Sequence, residues 1–167
     1  VYGNIVLGAA QAFHDRRLLH PAGSAEFARL EKIGALAVQV YGQPDAGMWE
    51  LRTRARVHTS SALMSWAACD RLAKIATALG LPERARYWQL HAQQMQDEIL
   101  ERSWSPARQA FAESFGGSEL DASVLLMAEV GLIHPADPRF ASTLDAMEKT
   151  LCDGPYMRRY EAADDFG

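Results

Sequence analysis

The sequence predicts an all-α fold made of consecutive antiparallel helix hairpins, and three observations carry that expectation. Apolar residues recur at spacings of three and four over long segments, the period of one helix face. Gly80, followed by Leu81-Pro82, is the glycine-out, proline-in punctuation that ends one helix and begins the next. Alternating, strand-like patterning is confined to a short stretch around Phe111 and Phe115.

A first helix is expected over about Asn4 to Leu19, ended by His20-Pro21-Ala22-Gly23. Ser24 is expected to cap a second, whose Phe27, Leu30, Gly34, Val38 and Tyr41 recur at helical spacing. A long polar loop runs from Gly42 to Thr59. The third helix, about Ser61 to Leu79, aligns Ala68, Leu72, Ile75 and Leu79 on one face. The fourth, about Pro82 to Ser103, stripes Trp88, Ala92, Met95 and Ile99. Pro106, paired glycines and alternating Phe111 and Phe115 make Ser105 to Gly117 a loop with a short hairpin. Asp121 caps a short fifth helix. Asp137-Pro138 opens a sixth, with Phe140, Leu144, Met147 and Leu151 in register and Gly154-Pro155 as its stop. No linker composition divides the chain, so residues 1–167 are expected to form a single unit.

Composition narrows the function. Of the 167 residues, 49% are hydrophobic, enough for one substantial core. The formal net charge is −4 with the two signs interspersed, so the electrostatic footprint of a nucleic-acid binder is missing. The longest apolar runs are short and alanine-rich, so no membrane span is expected. Cys69 and Cys152 lie far apart, outside any ligand cluster. Two buried free thiols are the expectation, which favours a reducing, cytoplasmic compartment. The five histidines contain no His-x-x-x-His pair, so no metal site is expected. No glycine-rich phosphate loop precedes a helix, and no cofactor is expected.

The chemistry concentrates in Pro44-Asp45-Ala46-Gly47-Met48-Trp49-Glu50-Leu51-Arg52. Pro-Asp-x-Gly bends the backbone, because proline fixes φ and glycine accepts positive φ. Trp49 offers a sugar ring an apolar face, Glu50 a proton, and Arg52 several donors in fixed geometry. The plain alternative is a surface turn bearing an ordinary solvated glutamate. Trp66 and Trp88 lie on helical stripes and read as core. His58-Thr59-Ser60-Ser61 lacks the Gly-x-Ser-x-Gly elbow of a serine nucleophile.

Four motifs in order resemble glycoside hydrolase family 15, the glucoamylase and bacterial and archaeal trehalase-like enzymes. These are Gly47-Met48-Trp49-Glu50-Leu51-Arg52, then a Thr/Ser cluster before a helix carrying Trp66 and Asp70-Arg71. Leu120-Asp121-Ala122-Ser123 follows, and Arg158-Arg159-Tyr160 comes before Asp164-Asp165-Phe166-Gly167. Val1-Tyr2-Gly3 is similar to a Tyr-Gly that begins a helix there. The resemblance implies part of an (α/α)6 toroid of the six-hairpin glycosidase type, with long loops building the site at one end. A complete toroid of twelve helices needs well over ~200 residues, so flanking sequence is expected to be missing at both ends.

It also implies an inverting reaction on an α-linked glucoside, an oligosaccharide or disaccharide. Glu50 would be the general acid, kept protonated by Trp49 and by closure around the substrate, with the general base outside this chain. Trp49, Arg52, Arg159 and Tyr160 would contact substrate, with Asp45 and Asp121 as structural neighbours. Leu51 stands where fungal glucoamylases carry a second acid, and His58 and Ser60 stand where many bacterial members have aromatics. Glucoamylase-like release of glucose from α-glucans is the expected activity, with a trehalase of the same family as the alternative. A helical-repeat module and a relative that binds carbohydrate without catalysis also stay open. The Gly42–Thr59 loop, the Asp121 segment and the Arg158–Tyr160 segment are expected to converge.

Overall fold

The helical stripes become helices in the expected order. A computed structural model describes residues 1–51 and 54–163, so Arg52 and the Asp164–Gly167 segment lie outside the described residues. The helices are α1 (Tyr2–Ala10), α2 (Ser24–Val40), α3 (Thr59–Ala78), α4 (Pro82–Arg102), the single turn α5 (Leu126–Glu129) and α6 (Pro138–Leu151). Two antiparallel hairpins join them, β1 (Trp104–Ser105) with β2 (Ala110–Phe111) and β3 (Cys152–Asp153) with β4 (Tyr156–Met157). The chain is all-α with these small additions. Its contacts gather in two units interleaved along the sequence. Val1–Tyr41 joins Met64–Gln96 in one; Gly42–Leu63 joins the chain from Asp97 onward in the other.

In the first unit the core is the buried face of α2 against α3 and α4. Phe27, Leu72, Ile75 and Trp88 are each no more than 2% exposed. Trp88 keeps its polar edge satisfied: Nε1 donates to Glu31 Oε1 at 2.7 Å, the same oxygen that accepts from Arg84 Nε. Trp66 is buried as well, so both tryptophans are core, as their stripes predict. Gly34 sits where a side chain has no room. A Cβ there would lie 2.2 Å from Leu72 Cδ1 and 2.9 Å from Trp88 Cη2.

In the second unit α6 packs on the β1–β2 hairpin. Thr143, fully buried, accepts from the Phe111 N–H at 3.0 Å and donates to the Arg139 carbonyl at 2.7 Å. This hydroxyl takes the inward position on α6. Leu144, expected there, is 40% exposed. Asp137 caps α6 as the sequence predicts, accepting from Arg139 N at 2.8 Å with Pro138 as the first helical residue. Gly154, with φ of +58°, forms the turn of the β3–β4 hairpin.

Three further expectations are corrected. The first helix ends at Ala10 and passes through a 3-10 turn, Gln11–Phe13. Asp15 accounts for this. Its carboxylate accepts from Arg17 N and from the Arg17 guanidinium, a local turn that competes with helix. Ser24 does not cap α2; Gly23 holds that place, and its N–H is taken by Glu26 Oε2 at 3.0 Å. Of the two thiols only Cys69 is buried, while Cys152 is exposed on β3. No helix among the described residues is long and apolar enough to cross a membrane.

Two outcomes follow. Gly34→Ala should lower unfolding stability by about 1–3 kcal/mol, the usual range for overpacking. In a Leu72→Ala background the added cost of Gly34→Ala should shrink, a coupling read by urea denaturation. Burial pushes the Cys69 thiol up to about 12, so it stays a thiol at neutral pH. A thiol reagent should therefore titrate one cysteine in the native chain and two after denaturation; fast modification of both under native conditions would contradict this burial.

Candidate active site

The Pro44–Leu51 turn is held by its own backbone before any side chain is considered. Asp45 pairs with Arg56 through two backbone hydrogen bonds of 2.9 and 3.1 Å. Its carboxylate accepts from Gly47 N at 2.9 Å, an Asx turn, so Asp45 is a structural residue here. Gly47 takes φ of +71°, and Leu51 N reaches back to Ala46 O at 3.1 Å.

Glu50 is exposed and has φ of +55°, in the left-handed region that a residue with a Cβ seldom adopts. Both neighbours are anchored. Leu51 is 7% exposed and fixes the chain on one side. On the other, Trp49 Nε1 donates to Asp121 Oδ2 at 2.8 Å. The departure noted at Leu51 thus has a physical role: an apolar side chain pins the turn just after the carboxylate.

Asp121 joins three segments. Its other oxygen, Oδ1, accepts from Ser123 N at 2.7 Å and caps the 3-10 turn Ala122–Leu125 that leads into α5. Its backbone bridges to Tyr160, flanked by Ala122 N to Arg159 O at 2.8 Å and Glu161 N to Leu120 O at 3.0 Å. This short pairing carries Arg159 and Tyr160 to Trp49. The Trp49 and Tyr160 rings lie 6.0 Å apart, and the Arg159 guanidinium lies 5.4 Å from the first and 5.5 Å from the second. The structure thus brings together Trp49, Asp121, Arg159 and Tyr160, so the three segments meet as expected. It says nothing of Arg52, which lies outside the described residues.

Sequence reasoning missed a buried charged cluster beneath the turn. His58 and Glu113 are each 7% exposed, with His58 Nδ1 3.1 Å from Glu113 Oε2. Glu113 Oε1 also accepts from Ser114 Oγ at 2.7 Å and from Arg56 at 2.6 Å. Arg54 and Arg56 both reach Glu119, at 2.6 and 3.3 Å. Backbone bonds from Thr59 N to Glu113 O (2.8 Å) and Phe115 N to Val57 O (3.0 Å) hold the two strands of the cluster in register. Glu113 beside it raises the His58 pKa above the ordinary imidazole value, against the opposing effect of burial. Burial acts on Glu113 in the upward direction, but the donors His58, Ser114 and Arg56 together bring its pKa below the ordinary carboxylate value. No local signal in the sequence links His58 to Glu113.

His58, Ser60, Glu113, Leu120 and Asp121 line a small enclosed cavity with Trp49 and Tyr160, about 10 Å³ in volume and so the size of about one water. A sugar would have to bind outside it, over the exposed faces. Among the described residues, no group of three His, Cys, Asp or Glu side chains is placed to hold a metal ion.

An all-α chain that gathers a Trp-Glu turn, an Asp-Ala-Ser cap and an Arg-Tyr strand has the layout of a helical glycosidase domain. The chain belongs to glycosyl hydrolases family 15, whose profile matches residues 24–165. It is similar to a trehalase of Thermoplasma volcanium, 31% identical over 136 residues, 81% of this chain and 22% of that one. A trehalase of Mycobacterium tuberculosis is 35% identical over 124 residues, 74% and 18% of the two chains. Trehalase 2 of Sulfolobus acidocaldarius is 29% identical over 154 residues, 91% and 27%. The chain spans about a fifth to a quarter of the length of these curated relatives. The fold class that the family implies, a helical toroid, agrees with the helical content of both units.

Asp121→Ala should cost about 1–3 kcal/mol of unfolding stability, since it strands the Ser123 N–H and removes the Trp49 acceptor together. Trp49→Phe should cost less, because the cap survives. Equal effects in chemical denaturation would show that the indole bond, rather than the cap, carries the stability.

Proposed function

We propose that this chain is a piece of the catalytic domain of an inverting glycoside hydrolase and supplies its general acid, Glu50. The observation that carries this reading is a carboxylate in a left-handed conformation between two anchored neighbours. Such conformations cost on the order of 1–3 kcal/mol and cluster where function requires them. Trp49, the neighbour of Glu50 in the chain, stands with the Tyr160 ring and the Arg159 guanidinium, groups suited to grip a sugar ring.

Breaking a glycosidic bond requires a proton on the leaving oxygen and a second carboxylate acting from the opposite face. Glu50 gives the proton. Trp49 and Tyr160 offer ring faces to the sugar, and Arg159 donates to its hydroxyls. Arg52, two residues beyond Glu50, is proposed as a further hydroxyl contact. Asp121 does not touch substrate in this scheme; it holds Trp49 and the Arg159–Tyr160 strand. The base that activates water lies outside the chain.

The substrate proposed is an α-linked glucoside, and trehalose is favoured because the relatives named above are trehalases. Glucoamylase-like release of glucose from α-glucans is the alternative within the family. Rates of the longer protein on trehalose, maltose, isomaltose and starch decide between the two.

In that longer protein Glu50→Gln keeps the shape but cannot give up a proton. Hydrolysis of the natural disaccharide should fall by ~10²–10⁴ in kcat with KM little changed. A glucosyl fluoride, whose leaving group needs no proton, should be much less affected. Equal loss on both substrates would assign Glu50 to positioning, and no loss on either would remove it from the mechanism. The isolated 167 residues should show no turnover; measurable hydrolysis would mean that a different pair of carboxylates does the work.

A further inference from the structure

The ring beneath the Trp49–Glu50 turn belongs to His58, to which neither the motifs nor the mechanism above give a role. We propose that His58 is a positioning residue for the acid-bearing turn, a ring on which Gly47 is seated and which forms one cavity wall with Asp121 and Trp49. Its consequence for catalysis rests on the reading of Glu50 given above, whereas its effect on the turn does not.

Two kinds of contact support the assignment. The first is steric. A Cβ added to Gly47 would lie 3.0 Å from Cγ, Cδ2 and Cε1 of His58, so the glycine backbone lies directly on the imidazole face. Gly47 also needs its φ of +71°, and both demands single out glycine. The second is electrostatic. Glu113, from the bend after β2, meets Nδ1 at 3.1 Å. Asp45 in the turn and Asp121 at the 3-10 cap also act on the ring in the direction that favours its charge. The cations nearby, Arg54 and Arg56, are engaged by Glu119 and Glu113. Opposing the charge is the α3 N-terminus, where the His58 carbonyl accepts from Ala62 N. The three carboxylates, Glu113 foremost, outweigh burial and the helix end, so the His58 pKa is raised.

Nε2 is buried and has no hydrogen-bond partner, and the ring lines the one-water cavity that Asp121 and Trp49 also line. Loss of the proton leaves the ring in place as a floor but removes the charge that Glu113 meets at 3.1 Å, in the cavity wall shared with Asp121. Asp121 is the acceptor of the Trp49 indole, so its environment passes the change to the residue beside Glu50.

The sign follows from linkage. The folded pKa of His58 is raised, so the stabilisation is complete below the ordinary value of about 6.5 and is lost as pH rises through the raised one. Glu113 is shifted the other way, and its contribution fades only as pH falls below the ordinary carboxylate value of about 4.3. The turn is therefore held best between these limits.

The test is a pH titration by NMR of the longer protein that carries this chain, with ¹⁵N-labelled tryptophan and histidine. The Trp49 indole resonance is assigned by its loss in Trp49→Phe and the His58 ring by its loss in His58→Gln. His58 should titrate above about 6.5, and the Trp49 resonance should shift or broaden with the same midpoint. The Trp88 indole, bonded to Glu31 in the other unit, should stay fixed. In His58→Gln the Trp49 resonance should lose that pH dependence, and Glu113→Gln should lower the shared midpoint. A Trp49 resonance that stays flat through the His58 titration overturns the proposal, as does a pH dependence that persists unchanged in His58→Gln. Should His58→Gln unfold, as loss of Trp88 dispersion would reveal, the wild-type titration decides: a common midpoint supports the proposal and separate midpoints overturn it. Failure of the Glu50 assignment would show in hydrolysis by the longer protein, a different readout, so the two ideas fall separately.

Discussion

The site depends on Asp121 and the three things it does at once. One oxygen caps the turn before α5, the other takes the indole N–H of Trp49, and the backbone between them pairs with Tyr160. A carboxylate can do this because it is an acceptor with several lone pairs, and at 6% exposure it must find donors for them. Each partner comes from a different stretch of chain, so satisfying one buried group fixes the relative positions of all three. Asparagine in its place would offer one acceptor oxygen fewer and turn the other position into a donor facing a donor.

Beneath this lies the second constraint, a cluster of charges taken out of water. Burying His58 with Glu113 costs desolvation that one contact would not offset. Arg56 and Ser114 both donate to the other oxygen of Glu113, and Glu119 ties Arg54 and Arg56 together in a half-exposed rim. The link between the Trp-Glu turn and α3 is thereby pinned by ion pairs and hydrogen bonds rather than by apolar packing. Leu51 is the apolar exception, set immediately after Glu50. A strained backbone at Glu50 persists because its surroundings are fixed on both sides.

The first unit meets a different requirement, close approach of helices. Gly3 lies against the Met64 carbonyl and Gly34 against Leu72 and Trp88, positions where a methyl group has no space. Trp88 fills the volume that Gly34 leaves and hands its N–H to Glu31. Close packing dominates these contacts, while those of the second unit's site are polar and directional. That division matches what each asks of its residues: density in one, orientation in the other.

The sequence by itself determined the order and class of the elements, since helical period, caps and proline–glycine punctuation are local properties. Asp137-Pro138, Gly80-Leu81-Pro82 and the stripe from Trp88 to Ile99 could be read directly. The motif order around Trp49-Glu50, Asp121-Ala122-Ser123 and Arg159-Tyr160 was enough to indicate the family. Local competition escaped that reading: the turn that Asp15 makes with Arg17 shortens α1, and Thr143 displaces Leu144 from the inner face of α6. Tertiary structure alone decided that Trp49 bonds to Asp121, that Gly47 rests on His58, and that His58 faces Glu113. Each of these pairs, apart from the first residues of the turn, is remote in sequence. Periodicity carries no information about which distant donor will meet which buried acceptor; only the folded backbone brings them within hydrogen-bonding reach.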